Sequence, residues 1–192
     1  MEVSDAPLEG PHWHAGAFSA SDTLREHDLS ALKRTLHGRI GHPNVTLVPG
    51  FYSDSLPKID VAALRPALLV DVDCDLYVSS LTALSWIFSN CLIVPGLSLV
   101  RYDDWGTGTN VRKGEQRAHH EISHLFNITW ELISEDGRYL PYGAPANAEF
   151  RVLDYHPMRH RHGAPISGTA TCEKPMVGRA VPRVSKMAAR LF

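Results

Sequence analysis

Two clusters of carboxylates are the residues of this chain best placed to do chemistry: "DVDCD" at residues 71–75 and "YDDW" at 102–105. Asp71, Asp73 and Asp75 occupy alternate positions, and on an extended backbone alternate side chains leave the same face. Each cluster closes an apolar run, "PALLV" in one case and "LSLV" in the other. Both therefore fall at the C-terminal ends of expected parallel strands, the edge at which open α/β sheets bind ligands. Consecutive parallel strands are commonly neighbours in the sheet, which would gather Asp71, Asp73, Asp75, Asp103 and Asp104 within a short distance. Such a group repels itself unless a cation neutralises it. All-oxygen donors favour Mg²⁺, Mn²⁺ or Ca²⁺ over zinc.

Other stretches offer weaker chemistry. "HEISH" (120–124) satisfies H-E-x-x-H, with His120 and His124 one helical turn apart and Glu121 as a base. Eleven histidines make a chance match easy, and no third ligand follows at the usual spacing. The same residues read more simply as an amphipathic helix with Ala118, Ile122, Leu125 and Phe126 inward. "HPMRHRHG" (156–163) clusters His and Arg at the start of a solvated segment. "WGTGTN" (105–110) has G-x-G but lacks the third glycine of a nucleotide-binding turn and follows a late strand, so it reads as a loop.

The elements that must position these residues alternate between strand and helix, the pattern of an α/β domain with a mainly parallel sheet. "SDTLREHDLSALKRTLHGRIG" reads as a helix capped by Ser21 or Asp22, with Leu29, Leu32, Leu36 and Ile40 as its apolar stripe. "NVTLVPG" reads as a short buried strand and "PALLVDVD" as a second, apolar enough to be covered on both faces. Ser79 or Ser80 is placed to cap the helix "SSLTALSWIFSNCL", which "VPG" ends. "LSLVRY" is a third strand and "KGEQRAHHEISHLF" a further helix. "ITWELISEDG" and "AEFRVLDYH" then read as an antiparallel hairpin at the end of the sheet.

A chain of 192 residues is long enough for one domain with a core of its own. Its apolar runs are too short to span a bilayer, and "MEVSDAPLEG" has neither the basic nor the apolar region of a signal peptide. Three widely spaced cysteines, Cys74, Cys91 and Cys172, are expected to be free thiols in a reducing compartment, hence a cytoplasmic location. Residues 156–192 carry seven Lys/Arg against one acid and form a basic tail that is expected to be poorly ordered. The body, residues 1–155, is correspondingly acidic. Neither a nucleic-acid nor a membrane partner is expected.

Six stretches, in order and spacing, resemble the macrocin O-methyltransferase family, S-adenosylmethionine-dependent enzymes that methylate sugar hydroxyls. They are "LEGPHWHAGAF", "VTLVPGFYSDSLP", "ALLVDVDCDLYVSSLTAL", "VPG", "RYDDWG" and "KGEQRA", spanning about residues 5–155. The resemblance implies a Rossmann-like methyltransferase sheet. It implies a divalent cation, Mg²⁺ or a similar ion, on Asp73, Asp103 and Asp104, with Asp75 as the general base. Gly50, Phe51 and Asp54 match the family's loop against the adenine of S-adenosylmethionine. The acceptor would be a sugar or another small hydroxylated molecule. Asp71, one pleat inside the strand, would be structural.

The departures from the family are also specific. Its first strand, Gly-rich turn and following helix have no counterpart after Met1, so the resemblance implies an N-terminally truncated sheet with a bare strand edge at "ALLVDVD". S-adenosylmethionine binding is then expected to be weak, and a homo-oligomer could form through that edge. Leu97 stands where a second glycine is usual, and Arg101 interrupts an otherwise apolar strand. Two alternatives follow: a metal-dependent D-x-D glycosyltransferase, and a non-catalytic degenerate subunit.

Overall fold

The computed structural model describes residues 19–105, 113–135, 147–156 and 189–190. At its centre is an open mixed sheet: β1 (Leu69–Val72), β2 (Leu99–Tyr102), β3 (Thr129–Glu135), β4 (Ala148–Asp154) and the two-residue β5 (Ala189–Arg190), in the order β3-β4-β2-β1-β5. β1 and β2 run parallel, with Leu69 opposite Leu99 and Val72 opposite Tyr102. β4 is antiparallel to both β2 and β3. The α/β class and the C-terminal hairpin are therefore present. The hairpin joins the sheet through its second strand, β4; among the described residues parallel pairing involves β1, β2 and β5, with an isolated parallel bridge between Ala67 and Ile93.

Two helices cover this sheet. α4 (Tyr77–Ser89) connects β1 to β2, and α5 (Gly114–Leu125) connects β2 to β3. They pack on each other and bury Leu84, Phe88, Ala118 and Ile122 against Val100, Tyr102 and Val152 of the sheet. The apolar spacing of both helices is thus what fixes them over the strands. α4 begins at Tyr77, earlier than its serines suggest. Its N-cap, Leu76, offers no side-chain acceptor, while Ser79 and Ser80 lie buried inside the first turn. Ser80 Oγ donates instead to the Leu76 carbonyl at 2.9 Å.

The N-terminal region departs further from expectation. Two helices replace one: α1 (Ala20–Leu24) is capped by Ser19 and α2 (Leu29–Ile40) by Asp28, whose carboxylate accepts from Ala31 N at 2.7 Å. Arg25, in the left-handed conformation, separates them. None of α2's stripe residues is buried: Leu29 is 53% exposed and Ile40 40%. "NVTLVPG" is irregular, not a strand, and Val48 is exposed. A strand exists through a neighbour that accepts its hydrogen bonds, and among the described residues this segment has no such neighbour.

A one-turn helix, α3 (Tyr52–Ser55), and two short 3₁₀ turns, Leu56–Lys58 and Val61–Ala63, lead into β1. The outer edge of β1, expected to be bare, is met by β5, with Val70 opposite Ala189 and Asp71 opposite Arg190. The rest of the basic tail beyond His156 lies outside the described residues, as does the expectation that it is poorly ordered. Cys74 is a free thiol, but Cys91 is disulfide-bonded, contrary to the expectation of three free thiols. The argument from cysteine usage to a reducing compartment loses its basis there. Among the described residues no helix is long and apolar enough to cross a membrane.

Candidate metal centre

The site forms where β1 and β2 end side by side. Asp103 N donates to the Val72 carbonyl at 3.0 Å, extending the ladder one residue past β2. The chain after β1 then turns sharply, with Leu76 N donating to the Cys74 carbonyl. Asp75 sits in this turn at φ 58°, a left-handed conformation that aspartate tolerates better than most residues.

The turn and the end of β2 bring one carboxylate oxygen each of Asp73, Asp75 and Asp104 within 4.8 Å of one another, all three half-buried. Asp103 lies outside this trio and acts on it through its charge. Burial above all, then a hydrogen bond and charge from Asp104 and the charges of Asp73 and Asp103, push the Asp75 carboxyl up to about 8. The trio thus retains a proton well into the neutral range. A divalent cation is the species that would displace that proton, and three carboxylate oxygens suit Mg²⁺, Mn²⁺ or Ca²⁺.

Asp71 belongs to a different structure. It is buried and makes a bidentate pair with Arg101, directly across the parallel ladder, at 2.8 Å for both bonds. Arg101, the charged interruption of an apolar strand, is therefore the partner of an aspartate on the neighbouring strand.

Gly50, Phe51 and Asp54 cluster around α3. Gly50 has φ 117°, open to glycine and strained for other residues. Phe51 is 45% exposed and Asp54 is exposed as well. α3 reaches the acidic turn through Tyr52, whose hydroxyl lies 3.5 Å from Cys74 Sγ. The three residues flank Tyr52 in the chain, and exposure leaves Phe51 and Asp54 open to solvent. Burial pushes the Cys74 thiol up to about 12, so it is a neutral group beside the Tyr52 hydroxyl rather than a nucleophile.

Among the described residues H-E-x-x-H gathers no group of three metal ligands. His120 and His124 are exposed, and Glu121 Oε2 accepts from the Tyr77 hydroxyl at 2.5 Å. Arg117 lies over the Tyr77 ring, 3.6 Å from its centroid. The buried histidine of this helix is His119, which meets Tyr102, Trp130 and Phe150. Its Nδ1 is 3.1 Å from the Tyr102 hydroxyl, and burial lowers its pKa to about 3. "WGTGTN" after Trp105 and the "HPMRHRHG" segment after His156 lie outside the described residues.

The residue that sequence reading missed is Glu115, in the first turn of α5. It is fully buried, Oε1 accepts from Cys74 N at 3.2 Å, and Oε2 accepts from Asp104 N at 3.0 Å. Burial raises its pKa well above the usual carboxylate range. Its signal is present in the helical spacing: Glu115, Ala118, His119 and Ile122 share one face, three of them apolar or aromatic. An acid on that face calls for buried donors.

Set against known proteins, the chain matches no protein-family model, no curated protein and no solved structure, so the reading of this site rests on its geometry and on its residues.

Proposed function

We propose that this domain binds one divalent cation, Mg²⁺ or Mn²⁺, and uses it in O-methylation of a sugar or another small hydroxylated molecule. The observation that carries the reading is the convergence of Asp73, Asp75 and Asp104 at the ends of two neighbouring parallel strands. The choice of methyl transfer rests on the resemblance of "DVDCD", "RYDDWG" and "KGEQRA" to the macrocin O-methyltransferases. In this reading Asp73 and Asp104 hold the cation, and Asp103 adds negative charge from outside the trio. A cation held by Asp73 and Asp104 would lower the pKa of an acceptor hydroxyl and fix its direction. Asp75, left as a carboxylate once a bound cation has displaced the proton it holds in the cation-free fold, would accept the hydroxyl proton as that oxygen bonds to the donor's methyl carbon and the methyl–sulfur bond breaks to release the thioether.

Among the described residues, Gly50, Phe51 and Asp54 are the candidates for holding the methyl donor, and two of them, Phe51 and Asp54, are exposed. S-adenosylmethionine is accordingly expected to bind weakly, and calorimetry returning a micromolar constant would contradict that.

The test of the cation site is titration of Mn²⁺ by calorimetry. The wild-type chain is expected to bind one ion, and D73N and D104N to lose it. D75N is expected to keep the ion and to lose methyl transfer to a hydroxylated acceptor. A wild-type chain that binds no Mn²⁺, or D73N and D104N variants that bind it unchanged, refutes the reading.

A further inference from the structure

We propose that Glu115 is the positioning residue that sets the spacing of the acidic site by clamping the loop after β1 to the loop after β2. The trio draws two carboxylates from the first loop and one from the second. The β1–β2 ladder holds these loops together as far as the Asp103 N to Val72 carbonyl bond, while the functional oxygens lie beyond it, at residues 73, 75 and 104. A hydrogen bond between Asp75 and Asp104 joins the two loops while Asp75 keeps its proton, and once that proton is lost the like charges push the loops apart. Glu115 spans the gap from a third element, α5, with one oxygen on Cys74 N and the other on Asp104 N. Each of these amides belongs to a residue of, or directly between, the carboxylates that must meet.

Stability alone does not account for a carboxylate at this place. Glu115 is fully buried, and its burial together with the neighbouring Asp104 and Asp75 disfavours its charged form. Burying so polar a group costs stability unless its hydrogen bonds are made, and here both oxygens are used on the two loops. Two N–H donors arriving from opposite loops require two acceptors on one rigid group, and a carboxylate has them. A glutamine at 115 has one acceptor, and its amide nitrogen would face the second donor. Partners that orient metal ligands in this indirect way typically change affinity by about 10–100-fold when lost.

The inference rests on the cation reading for its consequence, but the clamp itself can be read separately in the full 192-residue chain. Exchange of the Cys74 and Asp104 amides, followed by NMR, is expected to be slow in the wild type. E115Q is expected to accelerate at least one of them tenfold or more, and to weaken Mn²⁺ binding by about 10–100-fold. S123A, which removes another side-chain hydrogen bond of the same helix, from Trp130 Nε1, is expected to leave both readouts unchanged.

Unprotected amides in the wild type overturn the clamp, as does a folded E115Q with wild-type exchange or wild-type Mn²⁺ affinity. So does S123A if it weakens Mn²⁺ equally, because general loosening of α5 would then suffice. If E115Q fails to fold, E115D replaces it with the same expected losses, its shorter carboxylate being unable to span both amides. A wild-type chain that binds no Mn²⁺ refutes the cation reading alone, and the amide exchange then decides the clamp.

Discussion

Asp75 and Glu115, whose carboxyls keep protons above the ordinary carboxylate range, and His119, whose imidazole stays neutral far below its ordinary range, act in opposite senses on how this domain answers to pH. In the cation-free fold the Asp75 carboxyl titrates at about 8 against an ordinary 3.8. Between those values the folded chain keeps a proton that the unfolded chain has released, so stability falls as pH rises from 4 to 8. His119 is displaced the other way, to about 3 from 6.5. The unfolded chain gains a proton there first, so stability falls as pH drops from 6.5 towards 3. Thermal melts of D75N are expected to show a smaller decline as pH rises from 4 to 8, the part due to Glu115 remaining, and to keep the acid-side decline. Binding of Mn²⁺ displaces the Asp75 proton, so its affinity is expected to rise by up to about tenfold per pH unit below 8. Calorimetry in two buffers of different ionisation enthalpy would count that proton.

Asp71 shows how a residue's partner decides its meaning. R101M leaves a buried aspartate without its guanidinium and is expected to cost on the order of 3 kcal/mol, the low end for a broken buried pair because Arg101 reaches solvent. Urea unfolding would measure it. The double variant D71V/R101V is expected to recover most of that loss, since two apolar residues across a parallel ladder pack without desolvating charge.

At the scale of elements, the helices differ in what holds them. α4 and α5 are fixed by burial, and Leu84 is fully enclosed. L84A is therefore expected to cost about 2–5 kcal/mol. α2 is capped at both ends, by Asp28 and by the left-handed Gly41, yet buries no residue. L36S on its stripe is expected to change stability by no more than about 0.5 kcal/mol. Chemical unfolding of the two variants side by side checks the contrast. α5 carries three kinds of residue on its inner face: Ala118 and Ile122 for packing, His119 for the aromatic cluster, and Glu115 for the loops of the site. One helix thus couples the core to the acidic centre.

At the scale of the whole molecule, stability is concentrated in the sheet and the two helices upon it. Hydrogen exchange is expected to be slowest in β1, β2, β4, α4 and α5, and fastest in residues 19–50, where few side chains are enclosed. Protection of α2 equal to that of α4 would contradict this distribution.

The elements whose apolar spacing matches a buried face were legible in the sequence: β1, β2, α4, α5 and the hairpin all lie near their expected positions. So was the meeting of acidic residues at the ends of β1 and β2, because strand ends and parallel neighbours follow from local pattern. The N-terminal stretch misled because its spacing is that of a packed helix and strand, whereas packing requires a partner surface that local pattern cannot supply. Only the tertiary structure separated the aspartates. Asp71 went to Arg101 through the register of two strands, and Asp73, Asp75 and Asp104 were gathered by a left-handed turn. Only the fold brought Glu115, 41 residues from Cys74 in the chain, between the two loops. Residue types and periodicities are local and were readable in order. Which charge meets which donor depends on distances across the fold, and those exist only once the chain has closed on itself.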